Sequence, residues 1–166
     1  MSELEVPATI VDEMGNVYDV LLGKDPESNL GFGKYKDMKQ LYCRNKGYHV
    51  QIMPDGRITG TKENNDPYAM LEIFSPEPGV VTIRGVEADR FLAINESGRL
   101  YSSDVLNDEC YFLETLEANR YNTYRSQKYA QQNWYMGITK RGEPKLASRT
   151  KRGQKAVQFL PREITS

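Results

Sequence analysis

The sequence is short of the residues on which most catalytic and metal-dependent proteins rely. Its 166 residues hold one histidine, His49, so no site with two histidine ligands and no HExxH zinc motif can form. The two cysteines, Cys43 and Cys110, stand 67 positions apart. That spacing gives neither a CxxC redox pair nor a zinc finger, and two unpaired thiols are expected. GxSxG and GxxxxGK[ST] are absent, and Gly31-Phe32-Gly33-Lys34 has Lys36 where a GxGxxG fingerprint needs glycine. An enzyme is therefore the least expected class. Long hydrophobic runs are missing as well. Stretches such as Val20-Leu21-Leu22 fall far below the roughly 20 residues of a membrane helix. Glu3 and Glu5 stand where a signal peptide has a basic n-region, and no apolar h-region follows. Neither a transmembrane span nor a conventional signal peptide is expected.

What is present suits a soluble globular chain: 39% hydrophobic and 27% charged residues, enough for one domain with a real core. Residues 1–38 differ from the remainder, with eight acids, three bases, Pro7, Pro26 and four glycines. A weak apolar stripe at Ile10, Met14, Val17 and Leu21 has helical spacing, but Gly15 and Asn16 interrupt it. A mostly flexible extension over 1–38 is expected, with the domain over 39–163 and a short tail at 164–166.

Net charge is −1, yet charge is unevenly distributed. Between Lys140 and Lys155 lie seven basic residues and one acid, Glu143, a local +6 on a chain that is otherwise net −7. Such a block selects an anionic partner.

From about residue 39 short apolar clusters alternate with turns. Val50 and Ile52 precede Pro54-Asp55-Gly56; Leu92 and Ile94 precede Ser97-Gly98; Met136 and Ile138 precede Arg141-Gly142. Glycine at such turns supplies positive φ. Gly56, Gly98 and Gly142 are 42 and 44 residues apart, which is an internal repeat. It also aligns His49 with Phe91 and Tyr135, and Leu71 with Leu113 and Val157. His49 is thereby expected to pack, not to catalyse. Three units with room for four short strands each predict an all-β, β-trefoil fold: a six-strand barrel capped by three hairpins. Three units are too few for a propeller.

Several segments resemble the fibroblast growth factor family, in particular its paracrine acidic and basic members. They are Leu41-Tyr42-Cys43-Arg44-Asn45, Pro54-Asp55-Gly56-Arg57, Asn107 to Glu114, Tyr121-Asn122-Thr123-Tyr124, Asn133-Trp134-Tyr135 and the closing Gly153 to Pro161. The resemblance independently implies a β-trefoil. It also implies a secreted ligand of the immunoglobulin-like domains of a receptor tyrosine kinase, with heparan sulfate proteoglycan as co-ligand and no other cofactor. A monomer that dimerises on heparin and receptor is implied, without nucleic-acid binding or membrane insertion. Export by an unconventional route fits the N-terminus, and Arg149-Thr150-Lys151-Arg152 is a nuclear-targeting motif of low specificity.

Carried over residue by residue, the family's receptor-facing positions fall on Tyr42, Lys62, Glu114, Asn119, Tyr121, Asn122, Leu160 and Arg162. Tyrosines supply rigid anchors there, and Asn and Glu fix register. Lys62 replaces a typical arginine and loses its bidentate fork; Arg162 stands where the acidic and basic members carry an apolar residue, although other members of the family have arginine there. The heparin positions fall on Asn45, Lys140, Arg141, Lys145, Arg149, Gln154, Lys155 and the backbone near Ala156. Thr139 stands where close relatives have a base, with Lys151 and Arg152 as candidate compensation. Two other readings are weighed. The intracellular branch of the family typically has an aliphatic residue at Asn122, and a trefoil lectin would carry repeated QxW motifs, whereas Trp134 is the single tryptophan. Asn95-Glu96-Ser97 is an N-glycosylation sequon at an expected turn.

Overall fold

Period-two apolar spacing becomes strands along most of the described chain. In the computed structural model, the described residues are 9–11, 17–19 and 37–164. The strands are β1 (Thr9–Val11), β2 (Val17–Asp19), β3 (Asp37–Cys43), β4 (His49–Ile52), β5 (Ile58–Thr61) and β6 (Leu71–Glu77). They continue with β7 (Val80–Gly85), β8 (Arg90–Ile94), β9 (Leu100–Ser103), β10 (Phe112–Leu116), β11 (Asn122–Ser126) and β12 (Phe159–Glu163). Short 3₁₀ turns punctuate the loops, and the described residues contain no α-helix.

Pairing closes a ring. Strands β3, β12, β11, β10 and β7 are neighbours in that order, and β6 pairs with both β3 and β7. Six strands thus form a closed barrel. The hairpins β4–β5 and β8–β9 extend from it. This is the expected β-trefoil. The repeat-aligned sets Val50, Leu92, Met136 and Ile52, Ile94, Ile138 are all fully buried in one core with Leu41, Phe112, Tyr124 and Phe159. Burial of such side chains contributes about 1.5–3 kcal/mol each.

The three hairpin turns share one hydrogen-bond pattern. Gly56 N donates to Met53 O, Gly98 N to Asn95 O and Gly142 N to Thr139 O, at 2.9, 2.9 and 3.0 Å. Each turn glycine has φ between 81° and 95°, a conformation that costs other residues strain. The third hairpin departs from the expected four-strand unit. Only isolated bridges, Arg125 to Tyr135 and Ile138 to Pro144, stand where two strands were expected. Pro144 has no N–H to donate, so a regular ladder cannot run through it.

Among the described residues, 9–11, 17–19, Asp37 and Phe74–Pro78 fall in one compact unit, and 38–73 with 79–164 in a second, which carries the core. In the first, β1 and β2 form an antiparallel ladder with Ile10 opposite Tyr18. Helical spacing at Ile10 and Val17 is thus overturned: both lie on strands. β-branched and aromatic residues such as Ile10, Val11, Val17 and Tyr18 favour strands. Met14 and Leu21 lie outside the described residues. The first barrel strand begins at Asp37, two residues before the expected domain start.

Candidate functional site

Two groups of candidate residues emerge, joined through Gln158, whose side-chain amide donates to Arg152 O in the basic loop at 3.2 Å. The first group sits on β3, β12 and the β10–β11 hairpin. Antiparallel register sets Tyr42 opposite Leu160 and Gln40 opposite Arg162, so Tyr42, Leu160 and Arg162 lie together. The Arg162 guanidinium is 5.3 Å from the Tyr42 ring centroid, a cation–π contact. On the neighbouring hairpin, Asn122 Nδ2 donates to Glu114 Oε2 at 3.3 Å, and the buried Tyr124 hydroxyl donates to the same oxygen at 2.8 Å. Burial pushes the Tyr124 phenol far above its ordinary pKa, so it stays a donor. Tyr124 is therefore a core residue that props the Asn122–Glu114 pair from beneath.

The β10–β11 turn orders Asn119 and Tyr121. Asn119 Oδ1 accepts from Tyr121 N at 3.1 Å, and its Nδ2 donates to Gln158 Oε1, also at 3.1 Å. Arg44 donates to that Gln158 oxygen at 2.9 Å and lies 5.5 Å from the Tyr121 ring centroid. Gln158, only 4% exposed, is a hub that sequence reading missed. Its position inside the closing Gly153–Pro161 segment was the available signal. Lys62 is not brought to this group by any contact among the described residues. It stacks on Tyr48 at 5.1 Å, and the Tyr48 hydroxyl donates to Lys140 O at 3.1 Å.

The second group is the basic third hairpin and the loop after it. Lys140, Arg141, Arg149 and Lys155 are exposed and Lys145 is half-buried. Among the described residues none of these five, nor Lys151, takes part in an ion pair. Asn45 and Gln154 brace the segment. Asn45 Nδ2 donates to Ile138 O at 3.1 Å; Gln154 accepts from Lys151 N at 2.9 Å and donates to Arg149 O at 3.3 Å. Ala156 is buried, its carbonyl accepting from Ile138 N at 2.9 Å.

Thr139, which looked like a lost cation, has a structural role. Its hydroxyl oxygen accepts from Arg141 N and Glu143 N, each at 3.2 Å. Asn95 does the same in the second hairpin, accepting from Ser97 N and Arg99 N at 2.9 and 3.0 Å. Arg152, unlike Lys151, has an internal partner: its guanidinium pairs with the mostly buried Glu117 at 3.2 Å. Between the second and third hairpins lies a cleft of about 410 Å³, lined by Arg99, Tyr101, Glu143 and Lys145 among others.

The remaining chemistry-bearing groups are buried. Cys43 and Cys110 are both free and buried, and burial pushes the Cys43 thiol up to about 11, so it is a poor nucleophile at neutral pH. His49 is 2% exposed and packs edge-on to Tyr42. Among the described residues, no helix is long and apolar enough to cross a membrane.

Comparison with known proteins agrees with this fold. The family model described as "Fibroblast growth factor" matches residues 37–160. The chain is similar to fibroblast growth factor 2 of Homo sapiens, 49% identical over 134 residues, covering 81% of this chain and 46% of that protein. It is 48% identical over 134 residues to fibroblast growth factor 2 of Rattus norvegicus, covering 81% of this chain and 86% of the relative. It is 47% identical over 133 residues to fibroblast growth factor 1 of Cynops pyrrhogaster, covering 80% and 90%. The chain thus spans about half the length of the human relative. The chain belongs to the fibroblast growth factor family, whose members are growth factors and not enzymes.

Proposed function

We propose that the protein is a secreted ligand that activates a fibroblast growth factor receptor tyrosine kinase, with heparan sulfate as co-ligand. The observation that carries this reading is the coexistence of two differently built surfaces on one family-matched core. One holds Tyr42, Asn119, Tyr121, Asn122, Glu114, Leu160 and Arg162, aromatic anchors and hydrogen-bonding groups of the kind that dominate protein interfaces. The other holds Lys140, Arg141, Lys145, Arg149 and Lys155, cations that pair with no carboxylate among the described residues. Lysine suits sulfate as a mobile point charge, and arginine adds a planar fork.

Lys62 fits better beside the basic hairpin, through Tyr48 and Lys140, than with the tyrosine group. The protein is a monomer that is brought into receptor pairs when one sulfated chain spans two ligands. Titrating soluble receptor immunoglobulin-like domains with the protein, with and without heparin, tests the reading. Binding that tightens with heparin and yields a complex holding two receptors supports it. Absence of receptor binding in both conditions overturns it.

A further inference from the structure

We infer that Arg162 recognises a carboxylate on the receptor partner and that the buried His49 is its positioning residue. This rests on the receptor reading above. Arg162 is exposed on β12, yet no carboxylate of the described residues pairs with it. The adjacent Glu163 is taken by Lys39 at 2.6 Å. One guanidinium nitrogen lies 3.4 Å from His49 Nε2, and the group rests against the Tyr42 ring.

The hydrogen bonds fix the state of His49. Nδ1 lies 3.3 Å from the Glu63 carbonyl oxygen. A carbonyl only accepts, so Nδ1 carries the proton. Arginine only donates, so Nε2 must offer its lone pair to Arg162. A neutral imidazole is required. Its ring stands 6.0 Å from Tyr42 at 62°, and burial, with the Arg162 charge behind it, holds its pKa below the ordinary value. The side chain of Tyr42 faces it from β3, the guanidinium of Arg162 from β12, and the backbone of Glu63 from the segment after β5. Its own strand contributes only Val50, Gln51 and Ile52, none of them charged.

Among the described residues, His49 Nε2 is the one side-chain hydrogen-bond partner of Arg162, which leaves beside Tyr42 a fork suited to a partner's carboxylate. Protonating His49 at Nε2 removes the acceptor and sets two cations against each other. Arg162 then leaves Tyr42, and receptor binding weakens in acid.

Calorimetric titration of the full chain against receptor immunoglobulin-like domains decides the matter. Arg162→Gln should weaken binding about fivefold, the scale of a modest interface contact. His49→Phe should weaken it by a similar factor, but add nothing in the Arg162→Gln background, because coupled residues are not additive. His49→Gln keeps an acceptor that cannot titrate. It should retain neutral-pH affinity and lose the part of the acid weakening that wild type shows between about pH 7 and 5. Nitrogen-15 spectra should show the Nδ1–H tautomer in wild type, shifting at Nε2 in Arg162→Gln. Additive effects of His49→Phe and Arg162→Gln, or unchanged affinity in Arg162→Gln, would overturn the inference while wild-type binding kept the receptor reading intact. Failure of the wild type to bind would remove both.

Discussion

The first and third hairpins turn on the same glycine hydrogen bond, but they dispose of charge in opposite ways. In the first, Arg57 donates to Asp55 at 2.8 Å within the turn, and that contact holds the Asp55 carboxyl below its ordinary pKa. In the third, the cap is an uncharged hydroxyl at a different position: Thr139, three residues before the turn glycine where Asp55 stands one before its own, accepts from Arg141 N and Glu143 N. A hydroxyl organises the turn without neutralising anything. Lys140 and Arg141 are left free of ion pairs among the described residues. The lesson is that one turn geometry serves either to close a hairpin or to present cations, according to the charge of its cap. The loss of regular strands around Pro144 goes with the second use.

The largest expected effect breaks the third hairpin's side of this comparison. With about four phosphate-like contacts, heparin affinity should fall roughly a hundredfold between 50 and 200 mM salt, by analogy with counterion release from nucleic acid. Lys140→Gln, Lys145→Gln and Lys155→Gln together should flatten that slope and lower the elution salt on heparin resin. The melting temperature without heparin should stay near wild type, because exposed charges contribute little to stability. Unchanged elution would move the polyanion site elsewhere.

Next in size is Tyr121→Ala. An interface tyrosine of this kind is expected to contribute about 1–3 kcal/mol to receptor binding. Arg44, which lies over the Tyr121 ring, remains tied to Gln158, so the fold and heparin affinity should persist. Surface plasmon resonance on both ligands separates the outcomes.

A smaller effect sharpens the comparison directly. Thr139→Val removes the hydroxyl that caps two backbone amides and should cost about 1 kcal/mol of stability, the scale of a lost cap. Heparin binding should weaken slightly as the turn loosens. Asn95→Ala should cost stability alike and leave heparin binding unchanged. Chemical denaturation with parallel heparin chromatography checks both; equal heparin effects would show that capping in the third turn has no special part in presenting Lys140 and Arg141.

Much of this architecture was legible because the repeat is written in core residues. Ile52, Ile94 and Ile138 occupy equivalent buried positions, and the glycine turns need positive φ that few residues tolerate. The missing strands of the third hairpin were less legible, since Met136 and Ile138 keep the apolar alternation while Pro144 interrupts only the partner side. In β1 and β2 the helical spacing of Ile10 and Val17 competed with strand propensity and lost. The site was legible as a list but not as contacts. Gln158 and the His49–Arg162 pair act through hydrogen bonds between distant positions, which no local pattern encodes, whereas the Thr139 cap is local, reaching Arg141 N two residues on.

The smallest expected effect concerns stability against pH. His49 has its folded pKa held below the unfolded value near 6.5, chiefly by burial, so the unfolded chain takes up the proton first. The stability this residue contributes is complete above that value and declines as pH falls below it. His49→Gln should therefore show a shallower loss of melting temperature between about pH 7 and 5. An identical profile in the two proteins would show that His49 does not report on the folded state.

The central claim is that one trefoil core carries two separable surfaces, and a paired binding measurement tests it most directly. Wild type, Tyr121→Ala and the triple lysine variant are each titrated against receptor immunoglobulin-like domains alone and against heparin alone. The account predicts a double dissociation: Tyr121→Ala loses roughly fivefold or more in receptor affinity while keeping heparin, and the lysine variant loses heparin while keeping the receptor. Parallel loss of both ligands in either variant, with the fold intact, would contradict it.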